Sequence, residues 1–535
     1  MPNPSATRRD FLLQAGALGL ASTVNLAPTA LPTIAAAETT SSPNKKLVGM
    51  YVHQHWPYQH PYAARTWTID DWRGYARALR LLGYNALMIW PVLETMPDPL
   101  TPSDAANLQK IASVIDILHD ELGMRAYIAL CPNVVANNTE AAKAPFEKRH
   151  FFYCDERLNP ADKSAVDRMI AWRAQLLSHL KKADGVVIID SDPGGYPDST
   201  NEEFVDLLCA HRAMLDKLRP GIELIYWMHV GWQGYGRLYK TGVLKVSTDA
   251  ENLDVLSRLK DRNPEPWGIA NGLQYARELG LTDRVINFNY GRIEGEPSFP
   301  MTNFGGTNAY KGGAAPGARG VMGNCQTHCV QLPNTFAFAR GAAGKPIVDA
   351  DYIEFASRVL PDSADTIVRA WQAVGGTASD PIDASIAELK TLPPKNLTST
   401  GDLRGLLFGS PERFMSDLAL MLRVRQKFLA LQQSANPGPG CSTELHDFVT
   451  AAKAWQQQHG YENNWYWPQL NDLLLRTDSD AVKTVITNRF NPFAKPRQLP
   501  GETPFQYVAR TLRETETYTP RLLDTLSTVC DIRTP

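Results

Sequence analysis

Two aspartates, Asp190 and Asp192, have the type and spacing best suited to acid–base chemistry, because they close the apolar run 185–190 and lie two residues apart. On an extended backbone both side chains point to the same side, with their Cα atoms about 7 Å apart. Two carboxyl groups this close do not both ionise easily, so one can donate a proton while the other stays a base or stabiliser. Glycoside hydrolysis needs such a pair. The alternative is that an aspartate caps the turn at 193–195.

A partner carboxylate from another strand end is also expected, and Glu94 and Glu294 are the candidates, with Glu296 beside the latter. Solvated loop glutamates are the alternative reading of these residues. Side chains that could stack on sugar rings or bind hydroxyl groups occur at further predicted strand ends. They are His53, His55, Trp56, Trp90, Trp227, His229, Trp232, Asn289, Tyr290, Arg292, Asn324, Gln326 and His328.

The histidines permit a competing hypothesis, a metal-dependent hydrolase of the amidohydrolase type. His53 and His55 would present two imidazoles on one side of the first strand, and His229 follows the fifth. A catalytic metal needs at least three protein ligands and a bound water. The sequence offers no histidine after a sixth strand and no aspartate after the eighth. We therefore predict no metal and keep metal chemistry as the alternative.

These residues require a scaffold that brings strand ends together. Apolar strands alternate with amphipathic helices from residue 47 onward, a pattern typical of parallel strands buried on both faces. The spacing predicts the α/β class, with a (β/α)8 TIM barrel over 47–342, whose active site would lie at the carboxyl ends of its strands. The predicted strands are 47–53, 85–90, 124–130, 185–190, 222–228, 244–247, 284–290 and 320–325.

Beyond the barrel, residues 343–535 predict a helical C-terminal domain, since helical stretches there are separated only by breaks rich in Pro and Gly. Its tryptophans Trp371, Trp455, Trp465 and Trp467 are interpreted as core residues. The chain has 7 Cys, an odd number at scattered positions, which predicts no disulfide framework.

The N-terminus predicts a targeting segment. Arg8 and Arg9 precede Phe11, Leu12 and an apolar run rich in Gly and Ala, as in a bacterial twin-arginine signal peptide. We expect the signal to span 1–37 and a linker to span 38–46. The protein would then be a partner of the twin-arginine translocation machinery and be periplasmic or secreted, with no stable membrane anchor after cleavage.

Composition narrows the function classes. Lys and Arg number 54 against 56 Asp and Glu, a net charge of −2, which argues against a nucleic-acid partner held by phosphate contacts. The 12 Trp and 19 Tyr exceed the 18 Phe, a balance that suits flat surfaces with a polar edge, such as carbohydrate sites. The sequence contains no dinucleotide, phosphate-loop or haem-attachment motif, so no cofactor is expected.

The segment 184–192, reading DGVVIIDSD, resembles the fourth-strand signature of β-hexosaminidase and chitinase barrels. The layout of a barrel followed by a helical domain is similar to that of glycoside hydrolase families 20, 84 and 67. The resemblance implies an acid or stabiliser role for Asp190 and Asp192. The sequence thus predicts an exported glycosidase acting on a carbohydrate substrate, with a metal hydrolase or a non-catalytic carbohydrate-binding barrel as alternatives.

Overall fold

We describe the protein from a computed structural model. It describes residues 46–55, 59–149, 155–191, 194–241, 245–289, 313–324, 329, 331–376, 380–434, 441–459, 468–476, 479–486, 499–502 and 518–532. The predicted signal peptide, and all of the predicted linker except residue 46, lie outside the described residues. No helix in these ranges combines the length and apolarity needed to cross a membrane.

The strands of the described residues are β1 (Leu47–His53), β2 (Ala86–Trp90), β3 (Arg125–Leu130), β4 (Val134–Ala136), β5 (Asp155–Arg157), β6 (Gly185–Ile189), β7 (Glu223–Trp227), β8 (Trp267–Ala270), β9 (Val285–Asn289) and β10 (Gly320–Asn324). Eight of them are parallel and close into a barrel, in the order β1-β10-β9-β8-β7-β6-β3-β2, and a short antiparallel hairpin, β4–β5, stands apart from it. This confirms the predicted (β/α)8 barrel.

Helices between the strands cover the outside of the barrel, and three of them start with a capping box. Thr68, Thr200 and Thr248 each accept a backbone N–H with the side-chain oxygen, while the acid three residues on bonds back to the cap. The helices of this part are Ile69–Leu82, Pro102–Asp116 with a π-turn at Ile117–Glu121, Asn138–Ala141, Lys163–Ser178, Asn201–Leu218, Trp232–Thr241, Asp249–Arg262, Leu273–Glu278 and Leu332–Ala342.

The sixth barrel strand is not where the sequence predicted it, and the expectation of 244–247 is wrong. Residues 245–248 are irregular, because Ser247 accepts the N–H of Gln233 at 3.0 Å and Thr248 caps the next helix. The sixth strand is instead β8, Trp267–Ala270. Its four residues follow a proline and contain Gly268, so its apolar signal is short.

After β10 the described residues form helices and no further strand, as predicted. Trp371 and Trp455 are buried, which confirms their interpretation as core residues, while Trp465 and Trp467 lie outside the described ranges. The side chains of this region share one continuous core with the barrel, and the predicted boundary at 342/343 stays a prediction. The helices are Asp349–Val359, Ala364–Gly375, Asp380–Thr391, Pro411–Gln433, Thr443–His459, Pro468–Leu474, 480–486 and Tyr518–Val529.

A disulfide joins Cys441 to Cys530, across 89 residues, and so links the start of one C-terminal helix to the end of the last. The sequence analysis did not foresee it. The cysteines are far apart in the chain, and pairing at such distances cannot be deduced from spacing.

Candidate active site

Four aromatic side chains form a layer across the barrel near the carboxyl ends of the strands, here named the aromatic floor: Tyr51, Trp90, Trp227 and Phe288. Trp227 stacks on Phe288 with ring centroids 4.1 Å apart, and Tyr51 meets Trp227 edge-on at 5.0 Å. Tyr51 and Trp227 come from β1 and β7, which face each other across the barrel, so both rings point into its interior. Trp90 and Trp227, two predicted sugar-stacking residues, thus lie together, but both are buried.

His53 and His55 lie directly above this floor, as predicted for the end of β1. Their Nδ1 atoms are 2.6 Å apart, so one ring donates a hydrogen bond to the other. His53 stacks on Tyr51 at 4.8 Å, and His55 meets the edge of Trp90 at 4.2 Å. The two imidazoles therefore form a single hydrogen-bonded unit fixed by aromatic contacts.

Asp190 follows β6 and is fully buried. Its carboxyl group accepts hydrogen bonds from the Ser191 hydroxyl at 2.6 Å, the Tyr226 hydroxyl at 3.1 Å and the His229 N–H at 3.2 Å. Burial raises the pKa of Asp190 to about 7, although hydrogen bonds from Ser191, His229 and Tyr226 act to lower it. Asp190 thus retains a proton up to near neutral pH and ties the ends of β6 and β7 together.

Glu94 comes from the short turn after β2 and is also buried. It accepts the Trp90 indole N–H at 3.1 Å and the backbone N–H of Cys131, which follows β3. Burial raises the pKa of Glu94, and the positive charge of Arg173 opposes that rise. The structure therefore brings a second buried carboxyl group to the same end of the barrel as Asp190.

Arg173 is a functional candidate that the sequence analysis missed. It is buried in the Lys163–Ser178 helix and donates to the carbonyl oxygens of Pro132 at 2.7 Å and Val134 at 2.9 Å. It also lies 2.6 Å from Nε2 of His211. Burial lowers the pKa of His211 to about 3, so this ring is neutral and accepts from the guanidinium. Arg173 supplies a positive charge near Glu94 and orders the loop after β3.

Three further predicted site residues, Trp232, His229 and Asn324, have described side chains. Trp232 has no exposed face, because it stacks on Phe204 at 4.4 Å and donates its indole N–H to Ser199 at 3.0 Å. These contacts give it a packing role. His229 is partly exposed at the end of β7, and Asn324 is buried at the end of β10, beside Tyr51 in the strand register.

The buried polar atoms at this end that have no hydrogen-bond partner in the described part of the chain include the indole Nε1 of Trp227 and Oδ1 of Asn324. Buried polar atoms in folded proteins are almost always paired, so exceptions call for a specific explanation such as a ligand or a bound water. Tyr51 and Phe288 were not predicted, yet in the sequence they lie two residues before the predicted residues His53 and Tyr290. The two-residue period of a strand is the signal that could have found them.

Several predicted site residues lie outside the described residues, so their positions stay predictions. For Asn289, only the backbone is described. The others are Trp56, Asp192, Tyr290, Arg292, Glu294, Glu296, Gln326 and His328.

The donor set gives little support to a metal centre. Within the described ranges, no three His, Cys, Asp or Glu side chains lie close enough to hold an ion, so His53, His55 and His229 do not form one site. Two nitrogens on one tetrahedral zinc, each bound at about 2.0–2.1 Å, would lie about 3.3 Å apart. The 2.6 Å between His53 and His55 fits a hydrogen bond instead.

Comparison with known proteins gives neighbours in structure alone. No protein-family model matches the chain, and no curated protein does. Solved structures that match include the Thermobaculum terrenum O-GlcNAc hydrolase, at 9% identity and a TM-score of 0.40, over 90% of this chain and 94% of that one.

Two further neighbours are a GH20 β-N-acetylhexosaminidase from Streptomyces coelicolor and a GH138 enzyme that targets pectin rhamnogalacturonan II. The first has 14% identity and a TM-score of 0.32, over 61% of this chain and 68% of that one. The second has 11% identity and a TM-score of 0.38, over 84% and 68%. Similarity at this level carries no argument about activity, and the barrel assignment rests on the strand pairing of this chain.

Proposed function

We propose that the protein is a glycoside hydrolase that uses carboxyl groups at the carboxyl ends of the barrel strands. The observation that carries the proposal is the presence of two buried carboxyl groups, Glu94 and Asp190, at the same end of a closed parallel barrel as the aromatic floor. Parallel barrels place their active sites at this end. Glycosidic bond cleavage uses a pair of carboxyl groups, one of which keeps its proton because its surroundings raise its pKa.

In this proposal Asp190 and Asp192 provide the acid and the stabilising carboxylate. Asp190 keeps its proton because it is buried, and it accepts hydrogen bonds from the hydroxyl groups of Ser191 and Tyr226. Glu94, in the turn after β2, is a second buried carboxyl group at this end of the barrel. Burial raises its pKa, and the positive charge of Arg173 acts to lower it. His53 and His55 would bind sugar hydroxyls above the aromatic floor.

The test is a screen of aryl glycosides and polysaccharides with the wild-type protein, Asp190→Asn and Asp192→Asn. We expect turnover of at least one substrate by the wild type and a loss of about 10²–10⁴-fold in kcat in Asp192→Asn. Asp198→Asn is the control, because Asp198 is an exposed residue of the same loop, paired with Lys240.

Three results would count against the proposal. Full turnover in both Asp190→Asn and Asp192→Asn removes the assignment of the acids. Activity that disappears on chelation and returns with added zinc favours the metal hydrolase. Sugar binding without turnover of any substrate favours a carbohydrate-binding barrel.

We also propose export through the twin-arginine pathway to the periplasm or the medium. Two observations support this: the N-terminal arginine pair, and the Cys441–Cys530 disulfide, since such bonds persist mainly in oxidising compartments. Fractionation of cells that express the wild type or an Arg8→Lys, Arg9→Lys variant tests it. Wild-type protein should be found outside the cytoplasm and the variant inside. Equal distribution of the two would contradict export by this route.

A further inference from the structure

Arg65 is the most deeply enclosed cation near the histidine pair. It lies in the short turn Ala64–Thr66, and 1% of its surface is exposed. Its guanidinium donates to the carbonyl oxygens of His55 at 2.6 Å and Phe146 at 2.7 Å. It also donates to the carbonyl oxygens of Gln54 and Arg149. One side chain thus contacts four backbone carbonyls from two separate segments.

The shape of the guanidinium explains why this position holds an arginine. Its N–H donors lie in one rigid plane, so they reach carbonyl groups on different sides at once. A lysine ammonium carries the same charge on a single atom and would reach only part of this set. The guanidinium also lies 5.0 Å from the centre of the Phe146 ring, which adds a cation–π contact.

Both segments that Arg65 connects are also held by side-chain contacts with other residues. Gln54 exchanges side-chain hydrogen bonds with Asn107, at 3.0 and 3.4 Å. On the other side, Arg149 forms a buried ion pair with Asp104 at 2.7 Å. Arg65 therefore connects the first residues after β1 to an ordered part of the loop after β3.

The first of these segments carries the histidine pair. Arg65 fixes the backbone carbonyl of His55, while the ring of His55 meets Trp90 and its Nδ1 meets Nδ1 of His53. The His55 ring is thus set from two sides, by Arg65 through the backbone and by Trp90 through the side chain. A shift of the carbonyl would change the geometry between the two imidazoles.

We infer that Arg65 is a positioning residue that holds His53 and His55 in their hydrogen-bonded arrangement above the aromatic floor. Arg65 itself is enclosed and does not face a substrate. The kinetic consequence rests on the proposed glycosidase function. The effect on the histidines does not, so the two can fail separately.

The first test observes the histidines directly. Protein with ¹⁵N-labelled histidine is compared by NMR as wild type, Arg65→Lys and Arg212→Lys, and the signal of the hydrogen-bonded Nδ1 proton is assigned with His55→Gln. Arg212 is the matched control, because it is equally buried and also donates to two carbonyls, of Ile222 and Pro266, at the other end of the barrel. We expect the signal to be lost in Arg65→Lys and unchanged in Arg212→Lys.

The second test uses the substrate found in the glycoside screen. Arg65→Lys should lower kcat about 10-fold or more with little change in KM, since small displacements of site groups act mainly on the reaction step. Arg212→Lys should lower Tm without this loss. If Arg65→Lys does not fold, Phe146→Leu removes the ring contact but keeps every carbonyl, and it should shift the Nδ1 proton signal. An unchanged signal in the folded Arg65 variant or in Phe146→Leu overturns the inference, as does an equal change in Arg212→Lys.

Discussion

Both ends of the barrel carry polar side chains in its interior. At the amino end these side chains bond to one another, whereas at the carboxyl end some have no partner among the described residues. At the amino end, Arg319 donates to both carboxylate oxygens of Glu223 and to the Tyr127 hydroxyl at 3.1 Å. Although burial opposes it, the hydrogen bond to Glu223 raises the pKa of Arg319. Gly268 makes room for this pair, because a Cβ there would lie 2.9 Å from Glu223. We name these residues, Tyr127, Glu223 and Arg319, the barrel base.

At the carboxyl end the balance is reversed. Asp190 has a raised pKa, and Trp227 and Asn324 each keep a polar atom that no described residue satisfies. Charges that satisfy each other stabilise a fold, whereas buried groups left at a cost to stability are typical of functional sites. We therefore expect the polar groups of the barrel base to contribute to stability, whereas those of the carboxyl end are the ones that we propose for ligand binding.

The largest expected effect tests the buried acid. Because the pKa of Asp190 rises to about 7 on folding, the native state keeps a proton that the unfolded chain releases near pH 4. The wild type should therefore lose stability relative to Asp190→Asn as the pH rises from 4 to 7, by up to about 4 kcal/mol in total, and no further above 7. Urea unfolding of both proteins across this range measures it. If the difference in the free energy of unfolding between the wild type and Asp190→Asn does not depend on pH, Asp190 is ionised over the whole range.

The next largest effect is expected when the ion pair of the barrel base is removed. Glu223→Gln removes the carboxylate and leaves the Arg319 charge without its main partner. We expect a loss of about 2 kcal/mol in the free energy of unfolding, because Glu223 and Arg319 are only partly exposed and the substitution removes a charge-assisted hydrogen bond between them. Thermal and urea unfolding give the value, and Glu265→Gln is the control, because the Glu265 side chain is exposed although it also pairs with an arginine, Arg284. A loss equal to that of the control would mean that the base contributes no more than a surface pair.

The smallest effect compares one polar group from each end. Tyr127→Phe removes a hydroxyl that is bonded to Arg319 and should cost about 1 kcal/mol. Asn324→Leu removes a buried carbonyl oxygen with no described partner and should leave stability unchanged or raise it by up to about 1 kcal/mol. Binding of the sugar found in the screen should weaken in Asn324→Leu alone. If both variants lose the same free energy of unfolding, the two ends of the barrel do not differ in their contribution to stability.

The sequence predicted the barrel well, because apolar strands and amphipathic helices are local patterns. The prediction of the sixth strand failed because β8 has only four residues, which follow a proline and include Gly268, and because Ser247 and Thr248 bond to the starts of helices instead of a strand. Glu94 and Asp190 could be placed at one end because strand ends are ordered by the fold. The networks of Arg65 and Arg173 could not, since they join residues far apart in the chain, and the same holds for Cys441 and Cys530.

One measurement tests the central claim most directly: kcat and Tm of Asp192→Asn and Glu223→Gln, determined side by side on the same glycoside. The account predicts that Asp192→Asn loses at least about 100-fold in kcat with little change in Tm. It predicts that Glu223→Gln loses about 2 °C in Tm but keeps its turnover per folded molecule. Full turnover in Asp192→Asn, or a loss of turnover in folded Glu223→Gln that matches it, would contradict the assignment of chemistry to the carboxyl end of the barrel.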